Sequence, residues 1–554
     1  MENKKVWDTL KRDKNQRVRD AIPLVKIGKI VDAKDTVKLL ETIIKPYDRV
    51  NIEGDNQKQA DFLAEELNKV DKNKVNNLHL VQSVLSLDSH LDLFENGIAK
   101  KVDFSFSGPQ SGRLPKLMKG GKVEIGAIHT YLELFGRYYI DLTPRVALIA
   151  GFQADKEGNI YTGFNTEDTP IIVEATKFKQ GLVVAQVNEI VDKLPRVDIP
   201  ADWVDFVIEA PKPFYVEPLF TRDPANITDA QILRAMMALK GIYAEYGVQR
   251  LNHGIGFDTA AIELILPTYG KELGLKGKIC SYFALNPHPT MIPAIEEGWV
   301  ESIHCFGGEL GMDEYIKQRS DIFFLGPDDN LRSNRAYSQA AGLYALDMFI
   351  GGTLQIDQYG NSSTATATRI AGFGGAPNMG SDAKGRRHVS EAWLKCGDEC
   401  QTQKDSIGGH KRGKKLVVQL VDTFKEKMAP AFVEKLDALE LAKNFDMPIP
   451  PIMIYGDDVT HIVTEEGIAY LNKCESLEER KAAIRAVAGY TALGLTAIES
   501  ETELLRKKGI VKTPEDLGID VSRANRSLLA AKNIRELVDY SKGLYNPPAK
   551  FKNW

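Results

Sequence analysis

Residues 247–270 read GVQRLNHGIGFDTAAIELILPTYG: a β-prone run ends on the glycine pair Gly254 and Gly256, and an apolar, helix-forming stretch follows at once. A strand feeding a helix through a glycine turn is the elementary step of an α/β fold. The same step stands in PYDRVNIEGDNQKQADFLAEEL, residues 46–67, where the run Arg49 to Glu53 meets a glycine and a helix is expected from about Gln57. Two further stretches also match. VALIAGFQADKEGNIYTG (146–163) and GTLQIDQYGNSST (352–364) each place Asp-x-x-Gly-Asn after an apolar β-rich run, at Asp155 to Asn159 and Asp357 to Asn361. Asp opens such a reverse turn and Gly supplies positive φ. Two coincidences in the same order predict that one α/β unit is duplicated along the chain.

The break between the copies is EAPKPFYVEPLFTRDPANITDA, residues 209–230, whose four prolines suit neither a helix interior nor a central strand. A helix is expected directly after it, with Thr228 as N-cap, Gln231 completing a capping box and Gly247 as the stop. The domain boundary is placed near 225, giving 1–225 and 226–554, the second part carrying a helical C-terminal extension that opens at Ser476. LYNPPAKFKNW, at the end, reads as a surface strap or a frayed tail.

The 554 residues make two to four domains the expectation. Hydrophobic residues at 43% and charged residues at 27% describe a globular chain. A net charge of −5 argues against a nucleic-acid partner. No apolar run has the length of a membrane span. The first twenty residues mix four acids with seven bases and have no apolar core, unlike a signal or transit peptide. Five cysteines, an odd number, fit a reducing compartment, so a cytoplasmic protein is expected.

Chemistry is expected first in RIAGFGGAPNMGSDAKGRRH, residues 369–388, where Gly372, Gly374 and Gly375 stand within four positions. Without Cβ atoms, backbone N–H groups can converge there on a phosphate or on the oxyanion of an acyl transfer. A mobile surface loop is the bland alternative. Pro377 and the basic group Lys384, Arg386, Arg387 and His388 favour an ordered, anion-facing loop. NHGIGFDT, 252–259, offers a second anion contact at a helix N-terminus, although it lacks the third glycine of a dinucleotide fingerprint.

Other constellations are weaker. Cys396 and Cys400 with His388 and His410 lack a second thiolate pair, so no metal site is expected. Cys280 and Cys305 read as buried small hydrophobes and His461 as structural. Glu296–Glu297 and Glu465–Glu466 are adjacent carboxylates whose side chains diverge. No Gly-x-Ser-x-Gly and no Walker loop occurs.

These residues carry a family resemblance. VVAQVNEIVDKLPR (183–196) and YGDDVTHIVTEEGIAYL (455–471) resemble the first-half and second-half segments of acetate-type coenzyme A transferases. RIAGFGGAPNMGSDAKGRRHVSEAWL (369–394) is similar to the corresponding stretch of malonate decarboxylase α subunits, and the likeness runs from about 25 to 550. The resemblance implies two CoA-transferase-like open-sheet α/β domains. It also implies an acyl-carrier-protein transferase that exchanges acetate for malonate on a carrier subunit's phosphoribosyl-dephospho-CoA thiol. The chain itself would bind no cofactor, and decarboxylase subunits would be its partners.

One departure matters. Ordinary members carry a catalytic Glu after the second-half glycine turn, but Ser281 to Asn286 contains no carboxylate. Glu95-Asn96-Gly97 spells a family tripeptide in the wrong half, and Glu309 in GGELG matches no motif. The expectation is therefore direct attack of malonate on the acetyl thioester through a mixed anhydride. Malonate is already ionised at neutral pH and needs no general base. In that scheme Gly374, Gly375 and Ala376 offer backbone donors and Asn286 a side-chain donor. Gly254 and Gly256 shape the carboxylate end, while Arg386 or Arg387 pairs with malonate's second carboxylate. The rivals are a citrate lyase-type carrier transferase, a free-CoA transferase using Glu309, and a non-catalytic scaffold that docks the carrier.

Overall fold

The structure is a computed structural model that describes residues 8–54, 58–219, 222–331, 333–378, 416–425, 428–552 and 554, the side chains of 341–345 excepted. The first half builds a ten-stranded sheet. Its strands are β1 (Val25–Ile27), β2 (Ile30–Val31), β3 (Arg49–Ile52), β4 (Leu78–Val84) and β5 (Ala99–Phe106). They continue with β6 (Glu124–Ile128), β7 (Val146–Ala154), β8 (Ile160–Tyr161), β9 (Leu182–Ile190) and β10 (Phe206–Glu209). The spatial order is β1-β2-β10-β9-β7-β3-β4-β5-β6, with β8 folded back on β7.

The second half contributes β11 (Arg250–His253), β12 (Tyr282–Leu285), β13 (Ser302–Cys305), β14 (Met348–Gly352), β15 (Gln355–Asp357) and β16 (Ser362–Ser363). After them come β17 (Leu416–Leu420), β18 (Phe432–Val433), β19 (His461–Val463), β20 (Ile468–Tyr470) and β21 (Val511–Lys512). Eight of these form the order β13-β12-β11-β14-β17-β19-β20-β21, and β16-β15-β18 form a small sheet beside it. Among the described residues no helix is long and apolar enough to cross a membrane.

The two large sheets repeat one topology. The run β10-β9-β7-β3-β4-β5 matches β19-β17-β14-β11-β12-β13 strand for strand. Side chains repeat with it. On the central strands, Asn51 Nδ2 donates to Val81 O at 2.6 Å and Asn252 Nδ2 to Ala284 O at 2.5 Å, each tying its strand to the next. In both Asp-x-x-Gly-Asn turns the Asp carboxylate accepts the Asn amide, and the glycines have positive φ, 95° at Gly158 and 85° at Gly360. Asn159 Oδ1 then accepts from Ala201 N, and Asn361 Oδ1 from Gly456 N, both at 2.8 Å. Even the edge is repeated: Val183 N donates to the Asp205 carboxylate, and Val417 N to Thr460 Oγ1. The expected duplication is present in detail.

A prediction arises here. Asn361→Ala removes an acceptor for one buried amide and a donor to Asp357, and is expected to lower unfolding stability by about 1–3 kcal/mol. Asn159→Ala is expected to cost the same within error, as read by urea midpoints.

The parallel strands bury both faces under helices, which is why β7 and β9 read as near-continuous apolar runs. The helix expected from Gln57 begins at Asp61, because Gln59 first bridges back to Gly54. Thr228 caps the helix Asp229–Ala238 with the reciprocal Gln231 bond, just past the proline-rich segment separating the sheets. The division is not purely sequential, since Ala365, Ile370, Leu441 and Met447 pack into the core of the first sheet. The chain end is a strap: Tyr545 is buried, Asn546 N donates to Gly311 O, and the Phe551 ring lies under Arg222.

Candidate functional site

The loops at the C-terminal strand ends reach between the halves. In open parallel sheets such crevices, where strand order reverses, are the usual binding places. The reversal lies at β3 in the first sheet and at β11 in the second. Past β8, Thr166 Oγ1 donates to Ser333 O of the second half, and Asn165 lies so close to Gly308 that a Cβ there would meet it at 2.2 Å. Past β16, the glycine-rich segment does the reverse and docks on the end of β5.

That docking is a strand-like strap. Gly372 bridges Phe106, Ser107 N donates to Ala371 O (2.9 Å), Phe373 N to Ser105 O (2.7 Å) and Ile370 N to Ser111 O (2.8 Å). Gly372 has φ +84°, and a Cβ there would stand 2.4 Å from Ser105 O, so only glycine fits. Tyr131 N, at the start of the helix Tyr131–Ile140, donates to Gly374 O at 3.2 Å. The segment is thus docked through Asn378, while the basic group at 384–388, on which the expected anion-facing loop also rested, lies outside the described residues.

The expected cradle of three converging amides is corrected by this geometry. Gly374 N–H is spent on Ser105 O at 3.0 Å, and Ala376 N–H on Phe373 O at 3.3 Å in a short turn. Strapping across β5 and then turning consumes donors that would otherwise converge. Among the described residues, Gly375 N–H makes no hydrogen bond, and Gly375 stays partly exposed. Its Cα rests against the fully buried amide of Gln339, whose Nε2 and Oε1 would lie 2.2 and 2.6 Å from a Cβ at that position.

Asn286 stands directly after β12, 4% exposed, and its Oδ1 is buried without a partner among the described residues. Two residues on, His288 Nδ1 contacts Glu263 Oε1 at 2.9 Å, and its Nε2 is likewise buried and unpartnered among the described residues. His253 Nδ1 contacts the same oxygen at 2.9 Å, Thr290 donates to Oε2, and Tyr243 closes the chain at His253 Nε2. Burial alone would raise the Glu263 carboxyl, but the His288 and His253 imidazoles hold it down at about 2.

The Gly254 amide is not free for the expected anion contact. Gly254 N donates within the sheet to Ile350 O at 2.7 Å, and a Cβ there would stand 3.0 Å from Gly351 Cα. Gly254 thus serves close strand approach. Gly256 N-caps the helix Phe257–Ile265 in extended backbone, and the first turn already carries a carboxylate, Asp258. Asp258 pairs with buried Arg234 at 2.6 Å, which also meets Asp422 and Glu465.

Arg386 and Arg387 lie outside the described residues, as do Lys384, His388, Cys396, Cys400 and His410. Glu309 is buried, its carboxylate in an ion pair with Arg222 and its Oε2 accepting Leu219 N at 3.1 Å, beneath the segment joining the halves. Glu95 is an exposed partner of Arg113. Glu53, buried at the end of β3, accepts from Ala150 N, Lys58 and Thr169. His461 is structural as expected, ringed by Tyr246 and Tyr470 and pushed by burial to about 3. Burial raises the thiols of Cys280 and Cys305. Glu465 faces Arg234 while Glu466 lines a separate 310 Å³ cavity, so the two do diverge. Among the described residues no three His, Cys, Asp or Glu side chains gather as a metal cage.

Comparison with known proteins agrees with this architecture. The family model for the malonate decarboxylase α subunit, described as a transporter, matches residues 6–554. The chain is 68% identical, over all 554 residues and the whole of the relative, to the acetyl-S-ACP:malonate ACP transferase of Malonomonas rubra. A chain of a Pseudomonas malonate decarboxylase hetero-tetramer, solved in complex with malonate, is 58% identical with a TM-score of 0.92 and 99% of both chains covered. The malonate decarboxylase α subunit of Acinetobacter baumannii is 55% identical with a TM-score of 0.90, over 98% of this chain and 100% of that one. At the level of fold alone, an acyl-CoA transferase from Escherichia coli aligns with a TM-score of 0.51 at 15% identity, over 81% of this chain and 89% of that one. The duplicated sheets therefore share the fold of that acyl-CoA transferase, and the chain belongs to the malonate decarboxylase α subunit family.

Proposed function

We propose that this chain is the carrier transferase of a malonate decarboxylase, exchanging acetate for malonate on the thiol of an acyl carrier protein. The full-length 68% identity with a transferase of that name carries the reading. The thiol belongs to a phosphoribosyl-dephospho-CoA group on the carrier, and this chain holds no cofactor of its own. It works in the cytoplasm with the carrier and decarboxylase subunits, a reading supported by the hetero-tetramer of the Pseudomonas relative.

The chemistry is direct exchange. A malonate oxygen bonds to the acetyl carbon, the carbonyl electron pair moves to oxygen, and collapse expels the carrier thiolate. The thiolate then attacks the malonyl carbonyl of the mixed anhydride, and acetate leaves. No proton moves, so the protein's task is positioning and oxyanion stabilisation. Gly375 N–H and the loop of Asn286 serve the reacting carbonyl, Gly254 at the close strand approach and Gly256 at the helix N-terminus shape the carboxylate end, and Arg386 or Arg387 takes malonate's second charge. The commitment of Glu53, Glu263 and Glu309 to buried partners favours this route over a glutamyl thioester.

The test is an exchange assay with the full chain, acetyl-carrier and labelled malonate, with citrate and acetate as competing acceptors. Malonate-dependent release of acetate without decarboxylase subunits is expected, together with no hydroxylamine-trapped glutamyl adduct. A chain inert to malonate sinks the transfer reading. A hydroxamate on any Glu sinks only the direct route.

A further inference from the structure

We propose that Gln339 supplies the second oxyanion donor of the exchange site, through Nε2, beside the amide of Gly375. The inference deepens the transfer reaction proposed above and rests on it.

Gln339 lies in the helix Arg335–Ala345 and is fully buried. Its Oε1 accepts from Asn378 Nδ2 at 3.2 Å, whereas its Nε2 makes no hydrogen bond among the described residues. Leaving a buried amide donor unpaired costs about 1–3 kcal/mol, a penalty that an apolar side chain of similar volume would avoid. The donor nonetheless stands where residue 375 has no side chain, at 2.2 Å from the Cβ that any other residue would carry. Gly375 is thereby assigned two properties at once: its own N–H has no partner among the described residues, and its missing Cβ leaves room for a second N–H.

The surroundings fix the amide rather than merely bury it. Asn334 caps the helix by accepting Tyr337 N at 2.9 Å, and Ser338 Oγ donates to Cys305 O at 3.0 Å, at the end of β13. Arg335 reaches across to Glu167 and Asp168 of the first half and lies over the Tyr131 ring at 4.6 Å. Tyr131 N holds Gly374 O, so the helix and the glycine loop are anchored to the same point. Asn378, two residues beyond Ala376, fixes which face of the Gln339 amide meets Gly375.

In the exchange, the acetyl carbonyl oxygen takes up the electron pair as malonate's oxygen bonds to carbon, and the two N–H groups hold that charge. Re-formation of the C=O breaks the C–S bond. The same two donors hold the malonyl oxygen when the thiolate returns and the C–O bond to acetate breaks.

The experiment compares the full-length wild-type chain with Gln339→Glu and Gln339→Met, using acetyl-carrier and labelled malonate. Gln339→Glu keeps the shape and the acceptor for Asn378 but loses the donor, and Gln339→Met keeps volume alone. Both are expected to lower kcat about 10²–10³-fold, the usual effect of removing one oxyanion donor, with KM for malonate changed less than about threefold and the melting temperature held. Either variant retaining more than about a third of wild-type kcat would overturn the assignment, as would a loss carried by KM or by failure of both variants to fold. An inactive wild-type chain sinks the transfer reading, and this inference with it. An active wild type with active variants sinks the inference alone.

Discussion

Gly372→Ala lowers the exchange rate about 10²-fold, the expected effect of shifting reacting groups by roughly an ångström. The new Cβ meets Ser105 O at 2.4 Å, a backbone atom that cannot swing aside, and φ at this position is +84°. The loop must leave its β-type pairing with Phe106, carrying Gly375 with it. Backbone strain of this kind costs about 1–3 kcal/mol, so a modest fall in melting temperature accompanies the lost rate. Gly374→Ala is the control. Its φ is also positive, but its Cβ meets only the Tyr131 ring, at 3.5 Å, an ordinary contact. Equal losses from both substitutions would mean that left-handed backbone, rather than docking on β5, governs the site.

Glu263→Ala is expected to destabilise the second domain by about 3–5 kcal/mol, because it strands two imidazoles and a hydroxyl in the core. Urea unfolding at neutral pH measures the loss. The pH dependence has a definite sign. The Glu263 carboxyl is held at about 2, below its ordinary 4.5, so its stabilisation is full above 4.5 and fades as pH falls toward 2. The gap between wild type and variant should narrow across that window. A gap that stays constant from pH 6 down to about 2 would mean that the carboxyl binds its proton equally well in the folded and unfolded chain, so that its partners do not hold it down.

Much of this molecule was legible in its sequence because the informative patterns are local. The strand–glycine–helix steps at 49–67 and 250–265, the paired Asp-x-x-Gly-Asn turns and the Thr228 cap each occupy fewer than about twenty residues, and each forms in place, the first helix starting at Asp61 rather than near Gln57. What escaped the reading is non-local. Asn51 and Asn252 look like ordinary polar residues within strands until the sheet pairs them with Val81 and Ala284. Gln339 sits in a helical segment where a glutamine normally signals solvent, and nothing nearby in sequence marks it as buried. Glu263 is similar, an acid in the middle of an apolar helix whose partners come from the end of β11 and from the segment after β12. The glycine cluster shows a different limit. Closely set glycines permit either a converging nest or a close passage past another backbone, and only the partner strand decides between them. Here Ser105 takes the Gly374 amide, leaving Gly375 as the available donor among the described residues.

The strap has a consequence for synthesis. Ser107 and Ile370, which it brings into contact, are 263 residues apart in the chain. At about 5–20 residues per second, a ribosome delivers the second only some 10–50 s after the first. Throughout that interval the emerging first domain lacks Ala365 and Ile370 from its core and leaves the end of β5 uncovered. Its vulnerable period is thus written into the order of translation, and chaperone demand should peak before the nascent chain passes residue 370.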